Sequence, residues 1–140
     1  MTKKYKILGK YIKDMSSETP DSETYIFVRE NISSYQLGID INSKALKNKM
    51  IEINTLLKFN DKGQNTKKSF FEINYATIAK IDDEVKEKKE LEKIILCDIQ
   101  IEIYPNLEKA LLDLLHNSGY PEIKFEKKID FEKLNNQRFN

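Results

Sequence analysis

The stretch YQLGIDINSKALKNKMIEINTLLKF, residues 35–59, contains two segments in which apolar and polar side chains alternate. The apolar positions of the first segment are Tyr35, Leu37, Ile39 and Ile41. The apolar positions of the second segment are Ile51, Ile53, Leu57 and Phe59, and the polar Thr55 lies on the same face. Because side chains alternate between the two faces of a strand, this pattern is typical of antiparallel strands with one face on a core. Each segment is therefore predicted to be a half-buried strand.

Two further segments, one on either side of this stretch, also carry strand signals. Residues 69–81 place Phe71, Ile73 and Tyr75 on one face and Phe70 and Glu72 on the other. The polar loop NDKGQNTKK, residues 60–68, predicts a hairpin between this strand and the one before it.

The first strand signal covers residues 5–15 and differs from the others, since both of its faces are partly apolar. Alternation assigns Tyr5, Ile7 and Tyr11 to one face and Leu8 and Ile12 to the other. A strand that is apolar on both faces is suited to a subunit interface as well as to a core.

Helical spacing of apolar residues begins after the charge run IDDEVKEKKE, residues 81–90. The resulting stripe includes Ile94, Ile95, Ile99, Leu107, Leu111 and Leu114. Pro105 either kinks one long helix or opens a second one, because proline lacks the amide hydrogen that an interior position donates. Gly119 and Pro121 are predicted to end the helix, and a short helix is expected to start after Asp130.

The order of these elements, four strands and then helices, predicts an α+β fold in a single domain spanning residues 1–140. We expect a four-stranded antiparallel sheet with a long helix, kinked at Pro105 in one alternative, and a short carboxyl-terminal helix on one face. Between the first two strands lies SSETPDSETYIFVRENISS, residues 16–34, with an apolar cluster at residues 25–28. This cluster either caps the chain's own core or forms the wall of a binding site.

The composition disfavours several classes of function. Lys and Arg total 24 against 23 Asp and Glu, so the chain lacks the positive field that attracts nucleic acid. Cys97 and His116 are single residues of their kinds, which predicts no zinc site, no cofactor and no nucleophile–base pair. No apolar run approaches the roughly 20 residues needed to span a bilayer. A cytoplasmic protein that is neither an enzyme nor inserted in a membrane is expected.

Four motifs, in order along nearly the whole chain, resemble those of the SecB family. They are YIKDMSSETP at residues 11–20, FFEI at residues 70–73, IYPNLEKALLDLLHNSGYPEIKF at residues 103–125 and IDFEKL at residues 129–134. The chain departs from the family in being near neutral where members are usually acidic, in having Glu108 where Arg is common, and in lacking tryptophan.

The resemblance implies a cytoplasmic chaperone that binds unfolded secretory preproteins and delivers them to the SecA translocase ATPase. It also implies a homotetramer built as a dimer of dimers. Two alternatives stay open: a divergent SecB-like holding chaperone that serves a toxin–antitoxin system, and an oligomeric interaction domain without chaperone activity.

Three sets of site residues follow. By resemblance, Asp14, Glu18, Phe70 and Glu72 are expected to bind the basic, zinc-holding carboxyl-terminal tail of SecA. Aromatic side chains suited to binding many unfolded sequences are predicted at Tyr25, Phe27, Tyr35, Tyr104 and Tyr120. The oligomer interface is predicted on the apolar stripe, at Ile94, Ile95, Ile99, Leu107, Leu111 and Leu114.

Overall fold

The computed structural model describes residues 4–63, 65–126 and 128–138. Its strands are β1 (Tyr5–Glu18), β2 (Tyr35–Ala45), β3 (Met50–Asp61) and β4 (Phe70–Ile81). Its helices are α1 (Ser22–Glu30), α2 (Lys88–Lys93), α3 (Ile99–Asn117) and α4 (Phe131–Arg138). A short 3₁₀ turn, Ile32–Ser34, precedes β2, and a π-helical turn, Ile94–Asp98, joins α2 to α3. The predicted α+β class and the four strands are confirmed.

The strands form one antiparallel sheet in the order β1-β4-β3-β2, so β1 and β2 are its two edges. The face that carries Ile53, Leu57, Phe71 and Ile73, all fully buried, is called the inner face below. The opposite face, which carries Phe70 and the polar alternate residues, is called the outer face. Because β1 and β2 lie at opposite edges, residues 19–34 must carry the chain across the whole width of the sheet.

Helix α3 covers the inner face with residues spaced three or four apart. Its fully buried apolar side chains are Ile99, Ile103, Leu107, Leu111 and Leu115. Pro105 lies inside this helix, so it does not open a second helix. The helical hydrogen-bond pattern is irregular at the π turn that precedes α3, not at Pro105. The buried side chain of Gln100, in the first turn of α3, donates from Nε2 to the carbonyl of Ile95 in the π turn (3.2 Å) and accepts from Thr55 Oγ1 (3.0 Å). No helix within the described ranges is long and apolar enough to cross a membrane.

Helix α1 lies within the segment that the sequence analysis treated as a loop. The side chain of Asp21 caps it by accepting from the Thr24 amide at 2.8 Å. Val28 and Thr24, four residues apart, are buried, whereas Ile26 is 56% exposed. Val28 therefore packs in the chain's own core, and both alternatives stay open for the rest of the cluster.

The predicted alternation of β1 is wrong between Gly9 and Ile12, and from Asp14 onward the side chains again lie on the predicted faces. Its pairing with β4 shifts register between Ile7 and Gly9 and again between Ile12 and Asp14. Each shift leaves one extra residue in β1, and such a bulge moves every later side chain to the opposite face. As a result Tyr5 points to the inner face, where it donates to Glu102 (3.1 Å), while Tyr11 points to the outer face and donates to Glu52 (3.0 Å).

Candidate binding surfaces

An apolar groove of about 710 Å³ lies between the inner face near β2 and the segment 123–129. Its apolar lining consists of Ile32, Tyr35, Leu37, Phe59, Ile123, Phe125 and Ile129. The ring of Phe125 meets that of Phe59 edge-on at 5.7 Å between centroids. At its polar rim lie Gln36, Lys124, Glu126 and Lys128.

The groove is open because α3 does not extend over the β2 edge. The alternate residues of β2 that face inward, Leu37, Ile39 and Ile41, are only half-buried. β2 also pairs on one side only, with β3, so its other backbone edge is free within the described residues. A half-covered apolar strip beside a free strand edge is suited to binding an extended polypeptide.

The structure does not bring the five predicted aromatic residues together on one exposed surface. Tyr35, Tyr104 and Tyr120 are 6%, 7% and 4% exposed. Tyr35 lies in the groove wall and accepts a hydrogen bond from the Ser69 amide (2.9 Å), whereas Tyr104 packs against Phe131.

The remaining two members of that set lie on α1. Tyr25 packs against Tyr120 at 5.4 Å and donates to the carbonyl of Gly119 at 2.8 Å, and Phe27 is half-buried. Tyr120 lines a second pocket of about 270 Å³ that shares Ile32 and Ile123 with the groove. The assignment of all five residues to client contact stays a prediction.

Sequence reasoning missed the second wall of the groove, the segment 123–129. Its signal is three apolar residues, Ile123, Phe125 and Ile129, in an otherwise polar stretch that follows Pro121. Its described residues, 123–126, 128 and 129, belong to no helix or strand, so neither the helical nor the strand period could identify the segment.

The four residues assigned to SecA binding lie close together on the outer face. Glu18 is directly opposite Phe70 in the β1–β4 pair, and Asp14 is opposite Asn74, which follows Glu72 on the same face. Phe70 is 51% exposed. The second bulge of β1 brings Asp14 to this face, because unbroken alternation from Ile12 would turn it inward.

A chain of hydrogen-bonded polar side chains crosses the middle of the outer face. Glu52 accepts from Tyr11 (3.0 Å) and from Lys13 Nζ (3.2 Å), and Asn54 donates to Asn42 (3.2 Å). The hydrogen bond from Tyr11, followed by that from Lys13, lowers the pKa of Glu52. The carboxylate of Glu52 is thus already paired with side chains of the same molecule.

The apolar stripe assigned to an oligomer interface is mostly buried by the chain's own sheet. Of its six members only Leu114 is half-exposed. The burial of the other five therefore needs no second subunit, and the interface stays a prediction. Exposed apolar side chains occur instead on β1, at Leu8, Ile12 and Met15, and on α3, at Ile101.

The lone histidine and cysteine have structural surroundings. His116 lies in the last turn of α3, and its Nε2 is 2.9 Å from the carbonyl oxygen of Ile123. Cys97 is fully buried, and burial raises the pKa of its thiol. In the part of the chain that the structure describes, no three His, Cys, Asp or Glu side chains are placed to hold a metal ion.

Comparison with known proteins gives a consistent result. The sequence profile of the family described as "Preprotein translocase subunit SecB" matches residues 1–140. A "Putative protein-export protein SecB" from Pelagibacter ubique is 62% identical over the full length of both chains. A "Protein-export protein SecB" from Parvibaculum lavamentivorans is 24% identical over 95% of this chain and 77% of its own length.

Among solved structures, the fold matches that of a SecB-like chaperone from Mycobacterium tuberculosis, determined in complex with a ChAD peptide from the HigA1 antitoxin. The TM-score is 0.64, with 90% of this chain and 91% of the other covered. At 11% sequence identity this match shows the common fold alone.

Proposed function

The chain belongs to the SecB family of protein-export chaperones, and on that premise we propose that it binds unfolded secretory preproteins in the cytoplasm, keeps them competent for translocation and delivers them to SecA. The observation that carries the proposal is the open apolar groove between β2 and the segment 123–129. A holding chaperone of this kind works by binding and is not an enzyme.

The physics of the groove suits clients of many sequences. Apolar walls contribute free energy in proportion to the buried area, with little demand for side-chain identity. The free edge of β2 supplies backbone donors and acceptors, which every polypeptide can pair with. We infer that client contact extends from Leu37 and Phe125 towards Tyr25, Phe27 and Tyr120 at the adjoining pocket. Tyr104 contributes to client binding indirectly, because it packs against Phe131 of α4.

A role in export is favoured over a role in a toxin–antitoxin system. The 62% identical relative is named as a protein-export protein and matches over its full length. The chaperone that was solved with an antitoxin peptide shares only 11% identity with this chain.

The proposal is tested by light scattering of a denatured protein that aggregates on dilution. We expect this chain to suppress aggregation at near-stoichiometric amounts without ATP. An interaction domain whose apolar surface serves only its own oligomer would leave the aggregation unchanged.

We propose further that Asp14, Glu18, Phe70 and Glu72 bind the carboxyl-terminal tail of SecA. The support is their common position on the outer face, where the three carboxylates lie along β1 and β4 on the same side as the exposed Phe70 ring. With a zinc-loaded tail peptide, the substitutions Asp14→Asn, Glu18→Gln and Glu72→Gln are each expected to weaken binding about two- to fivefold in calorimetry. Binding should also fall steeply as added salt shortens the Debye length from about 10 to 3 Å.

Glu30→Gln is the matched control for these variants, because this exposed carboxylate lies at the end of α1. It should leave the affinity for the tail unchanged. Undiminished affinity in all three outer-face variants would refute the assignment. Intact client holding in the same variants would separate the docking surface from the groove.

We also propose that the chain forms a homotetramer as a dimer of dimers. Support comes from the exposed apolar residues of the β1 edge and from Leu114 of the helical stripe. Multi-angle light scattering at micromolar concentration should give four times the chain mass of 16.5 kDa.

A subunit contact at β1 predicts that Ile12→Lys with Met15→Lys dissociates the tetramer, since an unpaired charge in an apolar interface is costly. The control Ile26→Lys places the same charge at an exposed position of α1 and should leave the mass unchanged. A monomer of the unmodified chain at this concentration would rule the tetramer out.

A further inference from the structure

The outer face of the sheet carries opposite charges at its two ends. One end, near Phe70, holds four carboxylates and one cation, which are Asp14, Glu18, Asp40, Glu72 and Lys58. The other end, near the start of β1 and the end of β4, holds Lys6, Lys44 and Lys80, all exposed. Although the net charge of the chain is close to zero, negative and positive side chains are therefore separated on this face.

The three lysines of the second end form no ion pair with the described residues. Glu52, which is paired opposite Lys44, is already bound by Tyr11 and Lys13. Asp82 and Asp83, in the turn beyond β4, line a pocket with Lys6 and Lys80, and Lys80 helps to lower the pKa of Asp83, whose ion pair is with Lys49. These two carboxylates partly offset the positive charge, and the three exposed ammonium groups stay open to a partner.

The two ends are far enough apart to act independently. Glu72 and Lys80 lie on the same strand and the same face, eight residues apart, which corresponds to about 26 Å at 3.3 Å per residue. The Debye length at physiological salt is about 8 Å, so each end attracts charge without cancelling the other. Between them lie the hydrogen-bonded side chains of Tyr11, Lys13 and Glu52, beside the half-buried Leu56 and Ile78.

We propose that the outer face binds a protein segment whose charge reverses along its length. The segment is basic where it contacts the carboxylates around Phe70 and acidic where it contacts Lys6, Lys44 and Lys80. It spans the middle of the face with about eight extended residues. The inference rests on the docking function proposed above and adds an acidic part to the partner that this surface recognises.

The test uses synthetic peptides and calorimetry on the full chain. The first peptide carries a lysine block, an uncharged spacer of about eight residues and a glutamate block. In the second peptide glutamines replace the glutamates. We expect the first to bind about five- to tenfold more tightly than the second at moderate salt, as a few exposed charge pairs contribute.

A variant with Lys6→Gln, Lys44→Gln and Lys80→Gln should abolish this difference and leave the affinity for the second peptide unchanged. Equal affinities of the two peptides for the unmodified chain, or a difference that persists in the variant, would overturn the inference. Adsorption to phosphatidylglycerol vesicles that is lost in the variant would also overturn it, because the lysines would then serve a lipid surface.

Failure of the proposed docking function has a different signature. In that case the second peptide, which contains only the lysine block, does not bind. Binding of a third peptide, which contains only the glutamate block, then measures recognition by the lysine end separately. Binding that depends on Lys44 and Lys80 supports the inference, and no binding refutes it.

Discussion

Replacing Leu37 and Phe125 with aspartate is expected to abolish most client holding, with a loss of affinity of about tenfold or more. Both side chains are half-buried walls of the groove, one on β2 and the other on the segment 123–129. Removing them deletes apolar surface that a client would cover, and the new carboxylates would need to be desolvated beneath it. The measurement is suppression of aggregation by light scattering, together with the affinity for an unfolded client.

The control for this variant is Ile26→Asp, because Ile26 is exposed on α1 and does not line the groove. It should hold clients as the unmodified chain does. Urea denaturation and tail-peptide binding establish that the groove variant keeps its fold and its outer face. A folded groove variant that still suppresses aggregation would show that clients bind elsewhere.

The second large effect is expected at Gly119, which ends α3 with a φ of 110°. A Cβ atom there would lie 2.5 Å from Cε1 of the Tyr25 ring, whose hydroxyl donates to the carbonyl of the same glycine. Gly119→Ala therefore combines an unfavourable backbone conformation with a clash, and we expect it to lower the free energy of unfolding by about 2–4 kcal/mol. The midpoint of urea denaturation measures this change.

Gly38→Ala is the matched control, because the nearest atom to its added Cβ is 4.0 Å away and its φ is not positive. We expect a change in unfolding free energy below about 1 kcal/mol. Similar midpoints for the two variants would contradict the role assigned to the contact between Gly119 and Tyr25.

Much of the fold could be predicted because its signals are periodic. The alternation in residues 35–59 predicted β2 and β3, and the helical stripe predicted the residues of α3 that the sheet buries. Helix α1 was missed because its apolar cluster was considered without its cap. Asp21 as a cap, with Thr24 and Val28 four residues apart on one face, is the signal that could have identified it.

The candidate sites were harder to predict, since they depend on tertiary structure. The groove joins Leu37 to Phe125, which are far apart in the sequence, and no local pattern relates them. The residues proposed for docking were assigned through family resemblance alone. Alternation assigned Asp14 to the same face as Leu8 and Ile12, whereas the two bulges of β1 turn Ile12 inward and leave Asp14 on the outer face with Glu18 and Phe70.

Neighbouring residues of β4 contribute to different surfaces. Phe71 faces the core that supports the groove, whereas Phe70 and Glu72 on either side of it lie on the outer face, where docking is proposed. Evolution can therefore alter one surface by substitution and leave the other intact. An insertion or deletion of one residue within β4 would exchange the two sets of side chains at once. The length of β4 should consequently change more slowly during evolution than its sequence. New partners should arise by substitutions at the outward-facing positions of this strand.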